Sequence, residues 1–286
     1  MMNFPGTVKS KLHKTGTTIF TIMSGLAQEH GAINLSQGFP DFPVSGELIG
    51  LVNKHMLGGK NQYAPMPGIK PLREIISAKV QQRYSASYDP ETEITVTAGG
   101  TQAIYTAITA IIKEGDEVII FEPAYDCYVP AIELNGGIPV QLQLKAPDYH
   151  IDWNEVKKMV NQRTRMILIN TPNNPAGKAL KASDLSSLET ILENRNTILL
   201  SDEVYEHLIF DGKIHESVLK YPNLYNKSLA VYSFGKTFHN TGWKIGYVVG
   251  PDYLMKEFRK VHQFNVFSVN TPIQAALANT WVDPTK

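Results

Sequence analysis

The 286-residue chain has one cysteine, Cys127, so it can form no internal disulfide, and none of its His or Cys residues are grouped at metal-ligand spacing. A disulfide scaffold and a structural metal module are both excluded, and a reducing location, the cytoplasm, is expected. An excess of charge is lacking too. Lys plus Arg is 27 and Asp plus Glu is 27, for a formal charge of +0, with nothing like the basic stripe of a nucleic-acid binder. No segment reaches the roughly 18 consecutive apolar residues of a membrane span. Met1 to Lys14 carries charge with no apolar stretch behind it, so no signal peptide is expected. The sequons at Asn34 and Asn226 therefore carry no expectation of a glycan. What remains is a small-molecule partner, with neither nucleic acid nor membrane.

At 43% hydrophobic, 19% charged and 9% aromatic, the composition is that of a globular protein, and the length suits two domains or one large α/β domain. Ile19, Ile22, Met23 and Leu26 fall at helical spacing, with Gly31 placed to close that helix in a left-handed cap. Asn34 to Pro43, crowded with Gly, Pro, Asn and Asp, reads as an extended loop. Helices are expected from Ser45 to Leu57 and from Pro71 to about Tyr84. Beyond Glu93, short β-branched runs near 93–97, 117–121, 138–143, 165–169, 197–201, 229–233 and 245–249 alternate with helical stretches at 102–113, 125–134, 153–162 and 184–194. Two more helical stretches follow at 252–264 and 272–281. The fold class is α/β: a seven-stranded, mostly parallel sheet flanked by helices. Residues 1–44 form an arm and residues 45–286 the large domain.

Open α/β sheets collect ligands at the carboxyl ends of their strands, and four loops there are unusual. Ala98-Gly99-Gly100-Thr101-Gln102 joins a strand to a helix whose free N–H groups favour an anion, although a purely structural turn would also use glycines. It is not the G-x-G-x-x-G of dinucleotide binders. Phe234-Gly235-Lys236-Thr237 supplies the tail of a Walker A loop, but Ala230 occupies the place of its first glycine. Asn170 to Gly177 holds two prolines and three asparagines. Ser201-Asp202-Glu203-Val204-Tyr205 puts a carboxylate and a phenol at a strand end, where the carboxylate could equally cap a turn. Lys236 sits among aromatics, a poor place for a merely solubilising charge. Pyridoxal phosphate (PLP) uses all of these at once: a lysine for its aldehyde, a carboxylate for its ring nitrogen and donors for its phosphate.

The chain resembles fold-type I, class I PLP-dependent aminotransferases of the methionine and kynurenine/glutamine group. The resemblance rests on Asn34 to Phe42, Asn61-Gln-Tyr63, Ala98 to Thr101, Glu122 to Tyr128, Asn170 to Gly177, Ser201 to Tyr205 and Ser233 through Gly246. It implies that Lys236 binds the PLP aldehyde and moves the proton between substrate Cα and cofactor C4′, and that Asp202 pairs with the pyridine nitrogen. Tyr205 and Asn174 would hold the ring's phenolic oxygen, and Tyr125 would stack on the ring. Lys244, Ser233 and the Gly100-Thr101-Gln102 turn would bind the phosphate, joined by Tyr63 from a neighbouring subunit, which makes the protein a homodimer with shared sites. Phe20 and Gly38 would contact substrate, with Asn174; Phe20 packing on its own helix is the alternative. No metal is implied.

The implied activity is transfer of the amino group of an apolar or aromatic L-amino acid, such as methionine, phenylalanine, tyrosine or kynurenine, to a 2-oxo acid. A cysteine-S-conjugate β-lyase on the same cofactor is the alternative. Residues 1–44 would then be the arm and part of a small domain, and residues 45–286 the PLP-binding domain. The family's substrate-carboxylate arginine lies in a C-terminal portion with no match here, the last arginine being Arg259. A fragment is therefore expected, with a cofactor-binding but inactive chain as a further alternative. A ligand-sensing module attached to a DNA-binding head would need a basic helix-turn-helix ahead of it, and only Met1 to Thr18 precedes the arm.

Overall fold

The computed structural model describes residues 6, 7, 9–13, 15–38, 40 and 42–280. Phe39 and Asp41 of the Asn34 to Phe42 run, and Trp281 at the end of the last helical stretch, lie outside the described residues, as does part of Met1 to Lys14. The chain divides into two compact units, Met1–Pro43 and Val44–Lys286.

In the first unit, α1 (Ile19–Glu29) starts where the Thr18 hydroxyl accepts from the Thr21 N–H at 3.3 Å. It ends in the expected left-handed glycine, Gly31 at φ 59°, after which Ala32 N–H returns to the Ala27 carbonyl at 2.8 Å. Asn34 then makes a side-chain turn, its amide oxygen accepting from Ser36 N–H at 3.0 Å.

The second unit carries the sheet. Its elements are α2 (Gly46–Leu57), α3 (Lys70–Tyr84), β1 (Ile94–Thr97), α4 (Gly100–Ile111), β2 (Glu117–Glu122), α5 (Tyr128–Leu134), β3 (Ile138–Gln143), α6 (Trp153–Met159) and β4 (Thr164–Asn170). There follow α7 (Ala182–Leu192), β5 (Ile198–Asp202), α8 (Pro222–Tyr225), β6 (Ser228–Ser233), α9 (Phe234–Thr237), β7 (Gly246–Val249), α10 (Asp252–Asn265) and α11 (Thr271–Thr280). α5 starts three residues later than its periodicity suggests, because Tyr125 to Cys127 are spent on a turn closed by Tyr128 N–H to the Tyr125 carbonyl, 3.3 Å.

The strand order is β1-β7-β6-β5-β4-β2-β3. β7 runs antiparallel to both neighbours, and the remaining pairings are parallel. Alternate strand residues feed cores on opposite faces: Ile119, Ile167, Leu199 and Ala230 with α3 and α7 on one, Val118, Met166, Leu200 and Val231 with α4, α5 and α10 on the other. Burial on both faces is why these strands read as continuous apolar runs rather than alternating ones.

Register places the loops. Thr97 and Ser233 both pair with Gly246, while Asp202 pairs with Asn170 on one side and Val231 on the other. The turns after β1, β4, β5 and β6 therefore leave one end of the sheet almost level with each other.

Candidate active site

The turn after β1 forms the first wall. Gly99, at φ 85°, caps α4 with no side-chain partner, so the first-turn N–H groups of a twelve-residue helix stay free to face an anion. The Gln102 side chain turns back, accepting from Ala98 N–H at 3.0 Å and donating to the Thr106 hydroxyl at 2.6 Å, which leaves its backbone N–H as the group available to a ligand.

Gly246 packs against this turn. A Cβ there would overlap the Tyr232 carbonyl oxygen and lie 3.2 Å from Gly99 C and 3.3 Å from Gly100 N. Gly246→Ala is thus expected to destabilise the fold by about 1–3 kcal/mol and to weaken phosphate-ester binding, as read from urea midpoints and ligand titration. An unchanged midpoint would contradict this packing.

Lys244 follows a 3-10 turn and takes a left-handed backbone, φ 52° and ψ 59°. That conformation is uncommon for a side chain with a Cβ, and here it sets Lys244 beside Gly99, whose added Cβ would meet Lys244 Cε at 3.6 Å. The cation thus stands next to the free helix start.

Asp202 ends β5 and is 3% exposed. Burial pushes its carboxyl up to about 6, against the opposing pull of a 2.6 Å hydrogen bond from the Tyr128 hydroxyl, the Val204 N–H at 3.2 Å and the charge of Lys236. A further cation or donor beside it would favour its ionised form.

Lys236, on the short α9, stands 5.3 Å from the centre of the Tyr205 ring. Desolvation holds its amine below the ordinary lysine value, with Asp202 pulling the other way. Tyr205 in turn accepts from the Asn174 amide at 3.3 Å, and the Asn174 N–H donates to Asn170 Oδ1 at 2.6 Å. The Tyr125 hydroxyl lies 3.3 Å from the Thr101 hydroxyl.

One cluster in the second unit thus brings together Gly100, Thr101, Tyr125, Asn174, Asp202, Tyr205, Ser233, Lys236 and Lys244. Tyr63 stands apart, 80% exposed, against Phe267 at 5.1 Å on the rim of an open hollow of about 820 Å³ that also takes in Trp243 and Asn270. Phe20 and Gly38 belong to the first unit. Arg259 is a brace on β1, donating to the Thr95 hydroxyl at 2.9 Å and to the Glu91 and Ile94 carbonyls, each at 2.8 Å.

Two partners were not singled out from sequence. Tyr128 donates to Asp202, and Asn170 joins two of the loops through the Asp202 carbonyl, 3.0 Å from its amide. Their signals were faint: Tyr128 is three residues beyond Tyr125, and Asn170 opens the asparagine-rich loop. Among the described residues, no group of three or more His, Cys, Asp or Glu could hold a metal, and no helix is long and apolar enough to cross a membrane.

Residues 30–286 match the model of the family described as Aminotransferase class I and II. The chain is 49% identical over 279 residues to methionine aminotransferase of Escherichia coli (strain K12), covering 98% of this chain and 72% of that one. Against human kynurenine–oxoglutarate transaminase 1 the identity is 37% over 270 residues, 90% of this chain and 64% of the relative. The crystal structure of YbdL from Escherichia coli, for which a methionine aminotransferase function was identified, superimposes with a TM-score of 0.95 at 47% identity, covering 98% of this chain and 73% of that one.

Proposed function

Because the chain belongs to the class I and II aminotransferases, with the seven-stranded mixed sheet of fold-type I members, we propose that it is a PLP-dependent enzyme. It moves the amino group of an apolar or aromatic L-amino acid, methionine foremost, to a 2-oxo acid in the cytoplasm. The observation that carries this reading is Lys236, its amine pKa held down, grouped with buried Asp202 and with Tyr205.

The donor set fits the cofactor. Gly99, Gly100 and Gly246 leave a cradle at a helix start that a Cβ at Gly246 would close, and Lys244 supplies a cation beside it. PLP, when bound, supplies an aldehyde for an amine and an electron-withdrawing ring. Lys244, Ser233 and the N–H groups of Gly100, Thr101 and Gln102 hold the phosphate. Asp202, already donated to by Tyr128, would hold a proton on the ring nitrogen, whose positive charge would favour its ionised form. Asn174 and Tyr205 orient the phenolic oxygen, and Tyr125 packs on the ring.

Lys236 is the amine that holds the cofactor and then moves the proton between substrate Cα and cofactor C4′, a task that needs an amine pKa brought toward neutrality. The residues assigned to the substrate are Phe20, as an apolar wall, Gly38 and Asn174. Tyr63 reaches the phosphate of a second copy, making a homodimer with shared sites; its 80% exposure at the rim of an open hollow supports that role.

Visible absorption of the PLP-treated protein, before and after L-methionine, tests the proposal, with product analysis. Conversion to the pyridoxamine form with release of 4-methylthio-2-oxobutanoate is the expected result. Pyruvate with a released thiol from a cysteine conjugate would replace it with β-elimination, and PLP binding that ignores every amino acid would leave a cofactor-binding chain.

A further inference from the structure

The turn that carries Asp202 and Tyr205 has a far side, where a buried charged network takes no part in the chemistry above. Glu203 and Glu206 alternate with the cofactor-facing pair and are 0% and 2% exposed. Glu203 Oε1 accepts from the Ser201 hydroxyl at 2.8 Å and the Val218 N–H at 3.0 Å. Its Oε2 accepts from the Tyr232 hydroxyl at 2.8 Å and lies 3.0 Å from His215 Nε2. Glu206 is ion-paired with Lys79 of α3 and accepts from the Tyr84 hydroxyl at 2.5 Å, while its carbonyl accepts from Arg83 at 2.9 Å. Lys79 donates in turn to the Tyr247 hydroxyl at 2.7 Å.

Desolvating these charges costs the fold more than well-packed apolar side chains of the same volume would, so stability alone is a weak reason for them. What they do achieve is geometric. The backbone of the turn is tied where Thr171 N–H meets the Asp202 carbonyl at 3.0 Å, Glu203 N–H the Val231 carbonyl at 2.9 Å, Glu206 N–H the Glu203 carbonyl at 3.0 Å and Leu208 N–H the Tyr205 carbonyl at 2.8 Å, and the side chains of Glu203 and Glu206 add anchors on its far side. Fixing residues 203 and 206 on one side leaves residues 202 and 205 little freedom on the other, and a shift of about 1 Å at a reacting group can cost about a hundredfold in rate.

We propose that Glu206 is a positioning residue that sets Tyr205 against the cofactor, anchored for that purpose by Lys79 and Tyr84, with Glu203 and His215 holding the turn beside it. This rests on the PLP reading of the site. The test is a double-mutant cycle on PLP affinity, measured by equilibrium titration of the full chain. Lys79→Met with Glu206→Gln removes both charges and strands neither; it is made in the unaltered chain and in Tyr205→Phe.

Positioning predicts that the pair weakens PLP about tenfold in the unaltered chain but less than twofold once the Tyr205 hydroxyl is gone, because both changes remove one interaction. Equal losses in both backgrounds, or none, overturn the proposal and leave the network a purely structural role. If the paired variant does not fold, Tyr84→Phe, which removes one hydroxyl from Glu206, is read in the same two backgrounds by the same criterion. No PLP binding by the unaltered chain overturns the reading of the site and this proposal with it, whereas binding with additive losses overturns the proposal alone.

Discussion

Lys236→Ala is expected to lower kcat for transamination by at least about a thousandfold, the middle of the range for losing a positioned proton-transfer group. In the proposed function the amine has two tasks, holding the cofactor and moving a proton at Cα, and alanine could perform neither. No neighbour substitutes for it: Lys244 is committed beside Gly99, at the other end of the α9–β7 link. PLP affinity should fall far less, since the helix start, Lys244 and Asp202 are untouched. Steady-state rates with L-methionine, together with PLP titration, measure both quantities. A loss under tenfold would remove Lys236 from the chemistry.

The second large effect comes from Asp202→Asn, with opposite signs for activity and stability. If Asp202 keeps the ring nitrogen protonated, as proposed, losing its charge should cost about 10²–10³ in kcat. In the cofactor-free chain the same change should stabilise. Burial raises the Asp202 carboxyl from 3.8 to about 6, so between those values the folded state holds a proton that the unfolded state has released. Stability therefore declines as pH rises through about 6, and the full cost of ionising a buried carboxylate is borne above it.

Asparagine carries no such cost and still offers an oxygen to the Tyr128 hydroxyl. At one pKa unit per about 1.4 kcal/mol, the variant should gain about 3 kcal/mol at pH 8, with the gain shrinking as pH falls toward 4. Urea unfolding without PLP at several pH values decides the matter; a variant less stable than the parent at pH 8 would show that Asp202 is not strained by its burial.

The strands were legible in the sequence because both their faces are buried, which turns Met166 to Ile169 or Leu229 to Tyr232 into unbroken apolar runs. The four loops followed, since such sheets place ligands at strand ends. Direction was not legible: Gly246–Val249 reads the same whether it runs with its neighbours or against them, and it runs against both. Side-chain partnerships across long separations were hidden too. Tyr128 and Asp202 are 74 residues apart, Lys79 and Glu206 127 apart. A lysine inside a helical stretch reads as a solvated charge, yet Lys79 is 6% exposed. Only the folded sheet shows that its partner lies on the turn next to Tyr205.

The place of β7 also sets the order of events on the ribosome. β1 lies at the edge of the sheet and pairs with β7 alone, and roughly 150 residues must be made between them, about 8–30 s of synthesis at common rates. During that interval β1 has no strand beside it, and Gly99 and Gly100 have no Gly246 or Lys244 to complete the cradle. The cradle thus cannot form before Lys244 and Gly246 are made, so a phosphate-bearing ligand supplied earlier cannot guide β1 toward its partner.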